Sequence, residues 1–584
     1  MTRRPLRYLL PLGAAVLACL LLAGSASAHA VLESSTPQRG AVLKESPPEV
    51  TFAFNEPVEA SLGAVRVFDT EANEVQTGEV ERIGESGDEI GIALQDDLPD
   101  GVYTATYRVV SADSHAISGG LVFTVGSGGG ASGKTISELI AMSEVGPVTQ
   151  VAFWFDRWVG YVAIAVALGL LAFLVLLWAP LLAGRRETLA PRAEDTGRRL
   201  TRLLVLAVLA GILASFLAIP LQGATAAGTD FWGALKPEVF REVIDTRYGT
   251  VMVVRLLALL ALVPAVIAAA RLARDPDLAR KPLVLAGLAI PSAVLAATPA
   301  LGGHASTQHP IWLLTTSDIL HVISMSVWVG GLVALVLLLP VATRGIGAAR
   351  ERTGVLVDFL LRFSTVALIA VVVIAVSGTI QAIVEVNSFP ALIDTAFGRA
   401  VLIKIILFGG LIWLGAKNRR RVIPALVERR EGGETPGAPG VRARRNLRIE
   451  VVLVMAVLAV TAALVSYPPP TATQNGPVSG SVAAGDADRL EYTVDPARVG
   501  SNEIHVYLFD DATGAPKEVK GVELSFSLPD SDIAPIEADV RKAGPGHYVA
   551  PSAMLAVKGD WEARAAVRFS RFEEILADFE VPVE

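Results

Sequence analysis

The sequence predicts a multidomain protein: an antiparallel β-sandwich, an eight-helix α transmembrane bundle and a second, Ig-like β-sandwich. Three observations carry that expectation. The chain has 584 residues, more than one ordinary domain needs. Its residues are 52% hydrophobic and its mean hydropathy is +0.51, values that belong to membrane proteins. The long apolar segments gather in the middle of the chain, while short alternating runs typical of strands flank them on both sides.

Residues 1–28 read as a secretory signal peptide: Arg3, Arg4 and Arg7 precede an apolar run from Leu9 to Ala23, and Ala26-Ser27-Ala28 closes it with small residues. Cleavage there makes His29 the first residue. A free α-amine and an imidazole on one residue form a chelate suited to Cu(II) in tetragonal geometry. Cys19, the only cysteine, lies inside the signal, so the mature chain has no disulfide framework and no thiolate metal site. A lipoprotein box at Val16-Leu17-Ala18-Cys19 would retain Cys19, but Leu17 fits such a box poorly.

Residues 29–125 form the first domain. Strands are expected over Val50 to Phe54, Ala64 to Phe68, Glu89 to Leu94, Gly101 to Ser111 and Gly119 to Val125, separated by turns such as Pro99-Asp100-Gly101. Residues 126–147 begin with a run of Gly and Ser and read as a linker. The membrane domain, 148–467, contains eight spans near 151–179, 201–222, 248–270, 282–301, 315–341, 361–384, 398–416 and 449–467. After the polar linker 468–487, residues 488–584 read as the second sandwich, with strands near Glu503 to Phe509, Val522 to Ser527, Ile536 to Arg541 and Trp561 to Phe569.

The formal net charge of -8 hides a strong partition. Basic residues crowd the loops after spans one, three, five and seven, including Arg185, Arg271, Arg344 and Arg419 to Arg421. By the positive-inside rule these loops are cytoplasmic, which makes the chain a multi-pass protein of the cell membrane with both terminal domains outside. The pattern reports orientation in a lipid bilayer, not nucleic-acid binding. The bundle also reads as a 4+4 parallel repeat. Ile244-Asp245-Thr246-Arg247-Tyr248-Gly249 leads to Arg255 in span three, and Ile393-Asp394-Thr395-Ala396-Phe397-Gly398 leads to Lys404 in span seven at the same offset. Gln222 with Gln381, and Asp156 with Asp318, repeat likewise.

In the first domain Asp113 and His115 are two apart, so on an extended segment they face one way. With His29 they supply three nitrogens and a carboxylate oxygen, a set that favours Cu(II). A solvated polar pair is the alternative. In span five, Asp318, His321 and Met325 share one helical face, and ionisable residues in a span usually turn toward a polar interior. A carboxylate, an imidazole and a thioether can pass copper in either oxidation state. Alternatively Asp318 fixes the His321 tautomer or neutralises Lys404. His304 and His309 stand in the outer loop before span five, where they could receive an ion or simply be hydrated.

His29-Ala30-Val31-Leu32, Ser35-Thr36-Pro37, Phe54-Asn55-Glu56-Pro57-Val58, Gly101-Val102-Tyr103 and Asp113-Ser114-His115, followed by Gly119, resemble the CopC family of copper-binding proteins. The resemblance implies a CopC-like sandwich that binds Cu(II) through His29, Asp113 and His115. The Met-rich Cu(I) site of some CopC proteins is not expected, because this domain has no Met. Gly302-Gly303-His304-Ala305, Asp318, His321 and Trp328-Val329-Gly330-Gly331 resemble CopD, and the whole resembles fused CopC/CopD proteins of the YcnJ type, which are linked to copper uptake. Gly544-Pro545-Gly546-His547-Tyr548 and Gly559-Asp560-Trp561 resemble YtkA-like or FixH-like sandwiches. His505 and His547 of that domain could bind metal or fill ordinary sandwich positions.

The resulting expectation is a non-enzymatic protein that captures Cu(II) outside and mediates copper uptake, homeostasis or resistance. An extracytoplasmic copper donor or acceptor protein is its expected partner. The sequence shows no nucleotide-binding loop, so a gradient, the membrane potential or intracellular trapping must drive transport. The alternatives are a sequestering or sensing protein without transport, or a copper- or haem-dependent membrane redox enzyme.

Overall fold

The computed structural model describes residues 30–583 apart from 31, 39–40, 60–63, 85, 112–115, 127–144, 231, 387, 468, 471–477, 486, 512–515, 530, 532 and 545. The chain divides into two units. One comprises Val151–Ile219 and Val243–Thr471 and holds most of the helical bundle; the other comprises His29–Gln150, Pro220–Glu242 and Ala472–Glu584 and holds both sandwiches.

Among its described residues the N-terminal sandwich has eight strands: β1 (Leu32–Thr36), β2 (Val42–Leu43), β3 (Glu49–Phe54), β4 (Val65–Phe68), β5 (Gln76–Ile83), β6 (Glu89–Leu94), β7 (Gly101–Val110) and β8 (Ala116–Val125). They form two sheets, ordered β1-β3-β6-β5 and β2-β8-β7-β4. Alternation along β3 buries Val50, Phe52 and Phe54. The rings of Phe52 and Phe54 pack against Tyr107 of β7 at 5.1 and 5.3 Å. Tyr107 pairs across the sheet with Gly119 of β8, and a Cβ at Gly119 would collide with the Tyr107 hydroxyl. The sequence pattern had not revealed β1, β2 or β5. β5 is an edge strand whose residues are mostly exposed, so it lacks the apolar alternation that reveals a half-buried strand.

Among its described residues the C-terminal sandwich has nine strands: β9 (Val478–Ala484), β10 (Asp488–Asp495), β11 (Gly500–Asp510), β12 (Gly521–Ser527), β13 (Ile536–Ala538), β14 (Arg541–Gly544), β15 (His547–Leu555), β16 (Gly559–Arg568) and β17 (Glu574–Val583). Its sheets are ordered β14-β15-β11-β10-β9 and β13-β12-β16-β17. Trp561 is fully buried in the core between them, and its Nε1 donates to the Val557 carbonyl at 2.9 Å. The stretch 468–487, expected as a linker, contributes β9. Its Gly, Ser and Ala residues read as linker composition, yet β9 pairs in full register with β10, and Gly480 leaves room for the Tyr492 hydroxyl that a Cβ would strike.

Among the described residues, eight helices are long and apolar enough to cross a membrane: α1 (Pro147–Gly184), α2 (Arg186–Ala227), α3 (Arg247–Leu272), α4 (Pro282–Leu301), α5 (Ile311–Leu337), α6 (Ala349–Val386), α7 (Ala396–Glu431) and α8 (Gly437–Leu464). Several run well beyond the apolar stretches because hydropathy locates the hydrocarbon-compatible core of a helix and not its polar turns. Those turns are tied together: Arg185 Nε lies 2.5 Å and Arg430 3.5 Å from the Asp358 carboxylate. Within the bundle, Trp154 and Trp158 of α1 donate to the carbonyls of Ala459 and Met455 of α8 at 2.9 and 3.1 Å. α1 and α5 cross with Gly169 against Gly330. A Cβ on either would strike the other helix's backbone, so only glycine permits this approach.

The two hexamers of the sequence repeat have the same local structure. Thr246 and Thr395 each cap a helix, accepting from the amides of Gly249 and Gly398 at 3.0 and 2.9 Å. A Cβ at Gly249 would strike the Val243 carbonyl, and one at Gly398 the Ala391 carbonyl. Gly410, on the same helix as Gly398, has open space around it. Gly398→Ala should therefore destabilise the bundle by about 1–3 kcal/mol through overpacking, whereas Gly410→Ala should be neutral or slightly stabilising. Thermal unfolding of both variants in detergent measures the difference.

Candidate metal centres

His29, Asp113 and His115 lie outside the described residues. Their flanks, however, meet. The amide of Ala30, the residue after His29, donates to Ser111 Oγ at 3.3 Å, and Ser111 Oγ donates to Glu56 Oε1 at 2.6 Å. Ala30 and Ser111 are both buried. Ser111 follows the last residue of β7 and precedes Asp113 by two, and Ala116, next to His115, pairs with Val110 across β7 and β8. Glu59 locks that end further, exchanging two 2.8 Å backbone hydrogen bonds with Val110. Phe54-Asn55-Glu56-Pro57-Val58 thus supplies the carboxylate that anchors the junction.

In the bundle, α5 and α6 hold Asp318 and His321 in separate hydrogen bonds. Gln381 Nε2 donates to Asp318 Oδ1 at 3.2 Å. His321 Nδ1 lies 2.9 Å from Ser377 Oγ, whose own proton goes to the Val373 carbonyl at 2.7 Å. With that proton donated to the carbonyl, the serine oxygen can accept from Nδ1–H, which leaves the lone pair on Nε2 of His321. Ser377, not Asp318, orients this imidazole. Gly378 leaves the ring space, since a Cβ there would stand 3.4 Å from Cε1. The charges of Asp318, Glu385 and Lys404 act on one another inside the bundle.

Glu385 was not singled out in the sequence, although it stands four residues after Gln381 and so on the same helical face. Met325 packs at the margin of the apolar core. His304 is buried in the turn His304–Ser306, and His309 is exposed. Among the described residues, no group of three or more His, Cys, Asp or Glu is arranged to hold a metal ion. The first half of the bundle carries a different set: Arg255 Nε donates to Thr298 Oγ1 at 2.9 Å, and its charge acts on Asp156.

In the C-terminal domain, His505 Nδ1 lies 3.1 Å from His547 Nε2, and His505 Nε2 lies 3.3 Å from Glu503 Oε1. Burial, together with the adjacent His505, holds the His547 imidazole well below the ordinary histidine range. His547 opens β15.

Three family models match the chain: the CopC domain over residues 32–126, the copper resistance protein D-like N-terminal domain over 148–312 and copper resistance protein D over 357–464. The copper transport protein CutJ of Bacillus subtilis (strain 168) is 29% identical over 502 residues, 85% of each chain. Protein YobA of Escherichia coli (strain K12) is 31% identical over 124 residues, 21% of this chain and 97% of YobA. Copper resistance protein D of Pseudomonas syringae pv. tomato is 26% identical over 270 residues, 45% of this chain and 81% of that one.

Ser111→Ala would break the Ala30–Ser111–Glu56 chain at its centre. The expected loss is about 1–3 kcal/mol for the buried groups left without this partner. Hydrogen exchange should accelerate at the Ala30 amide while the Val110 amide, held by Glu59, keeps its protection.

Proposed function

We infer that this chain, which belongs to the fused CopC/CopD copper proteins, captures Cu(II) outside the cell membrane and mediates copper uptake, homeostasis or resistance. The observation that carries this reading is the union, in one chain, of a CopC sandwich with a CopD-type eight-helix bundle, aligned over 85% of its length with a copper transport protein.

The Cu(II) ligands are the amine and imidazole of His29 with Asp113 and His115. The meeting of Ala30 with Ser111 supports this set, because it brings the chain beside His29 to the segment that leads into Asp113. The terminal amine and two imidazoles supply nitrogen donors, the carboxylate a fourth oxygen, and a tetragonal ion takes all four. Copper is the cargo here, and the role is binding and transfer, not catalysis. Both sandwiches lie on the extracytoplasmic side, since the basic loops mark the opposite face. An extracytoplasmic copper donor or acceptor exchanges the ion with the first domain.

Movement through the bundle uses the second half, where His321 presents Nε2 and where Asp318 and Glu385 offset the charge of Lys404 and of an arriving cation. His304, His309 and Met325 complete the proposed path. An inside-negative potential contributes about 2.3 kcal/mol per charge per 100 mV in the inward direction.

Intracellular copper under copper limitation tests the reading in cells carrying wild type, His29→Ala or His321→Ala. Both substitutions should lower accumulation several-fold. If His29→Ala abolishes surface copper binding while His321→Ala leaves accumulation at the wild-type level, the protein sequesters copper without transporting it.

A further inference from the structure

Two of the chain's seven histidines stand apart from the copper path proposed above, in the C-terminal sandwich. Along β11, Ile504, Val506 and Leu508 enter the core between the sheets, so Glu503, His505 and Tyr507 occupy the sheet's other face. β15 brings His547 to that same face, in register with Tyr507. Tyr507 stacks on the His547 ring at 4.2 Å and on the His505 ring at 6.2 Å. Glu503, His505 and His547 are at most 3% exposed.

Burying two imidazoles and a carboxylate is costly unless their polar atoms serve one another. Glu503 Oε1, 3.3 Å from Nε2 of His505, places a carboxylate beside that nitrogen, which favours the proton there and a lone pair on Nδ1. Nδ1 points at Nε2 of His547. Without a ligand, a proton on His547 Nε2 fills the gap. With that proton moved to Nδ1 of His547, two lone pairs converge on one point. A carboxylate behind an imidazole whose other nitrogen faces a cation is the arrangement that orients metal-binding histidines.

We propose that His505 and His547 form a second metal site, a two-imidazole clamp for Cu(I) oriented by Glu503. Coordination number and charge support it. Nitrogens about 2.0 Å from one ion are about 4 Å apart in the linear arrangement of a two-coordinate ion, so the hydrogen-bonded pair, 3.1 Å apart, opens by about 1 Å to admit it. Among the described residues, no third His, Cys, Asp or Glu joins the pair. Zn(II) and Cu(II) ask for about four ligands, whereas a filled-shell monovalent ion is content with two. Finally, a buried site favours the ion with the smallest charge, and one Glu503 carboxylate balances one positive charge and leaves the cluster neutral. The clamp is distinct from the N-terminal Cu(II) chelate and does not depend on transport.

The full-length protein, purified in detergent under anaerobic reducing conditions, can be titrated with Cu(I) against a chromophoric Cu(I) chelator. The background should be His29→Ala/His321→Ala, which removes a histidine from each of the two copper sites invoked for uptake. One equivalent of Cu(I) should remain bound, with X-ray absorption showing two nitrogen donors of imidazole type. His547→Gln should abolish it, and Glu503→Gln should weaken it about 10–100-fold. Cu(I) binding that is unchanged in His547→Gln, or an absorption spectrum without imidazole scattering, overturns the proposal. If His547→Gln unfolds the domain, Glu503→Gln decides: with an unchanged melting transition and unchanged affinity, the clamp is wrong. Wild-type copper uptake in cells carrying the His29→Ala/His321→Ala background, with this equivalent intact, would count against the transport reading alone.

Discussion

The hydrogen-bonded chain from the Ala30 amide through Ser111 to Glu56 is the constraint on which the proposed copper chelate rests. A chelate made from a terminal amine works only if the terminus is held, since a frayed end loses to conformational entropy what its nitrogen donors gain. Here the second residue of the expected mature chain is buried and bonded to a strand end. That strand end leads directly to the other two proposed ligands. The sandwich core of Phe52, Phe54 and Tyr107 supports this junction by holding β3 and β7 in opposite sheets.

In the bundle the governing constraint is the cost of charge in hydrocarbon, which forces each buried ionisable group to find partners. The two halves meet it differently. The first pairs Arg255 with Thr298 and the charge of Asp156. The second bonds Gln381 to Asp318 and adds an imidazole and a second carboxylate in the neighbourhood of Lys404. A shared helix-cap geometry at Thr246 and Thr395, with glycine required three residues later in both, shows that the halves keep one local scaffold while their polar contents have diverged. The close crossing of α1 and α5 at Gly169 and Gly330 joins the first helix of each half.

Much of this was legible because it follows from periodicity and composition. The eight apolar runs correspond to the eight membrane-length helices among the described residues, and alternation locates β3, β6, β7 and β8 within a few residues. The failures have specific causes. β5 lies on an edge with few buried residues, and β9 is built of small residues that read as a linker. Glu385 stands in the last turn of α6, just past the apolar stretch that marks the span. The tautomer of His321 depends on Ser377, fifty-six positions away, and the pairing of His505 with His547 depends on strand register. Contacts of that range leave no local trace in a sequence. The ligands His29, Asp113 and His115 rest on motif and spacing, supported by the geometry of their neighbours.

Mass-spectrometric sequencing of the first residues of the chain recovered from cell membranes bears most directly on the copper chelate. A mature protein that begins His29-Ala30-Val31 is expected. A protein that begins at any other residue has no free amine on its first histidine, and the Cu(II) site described here would not exist.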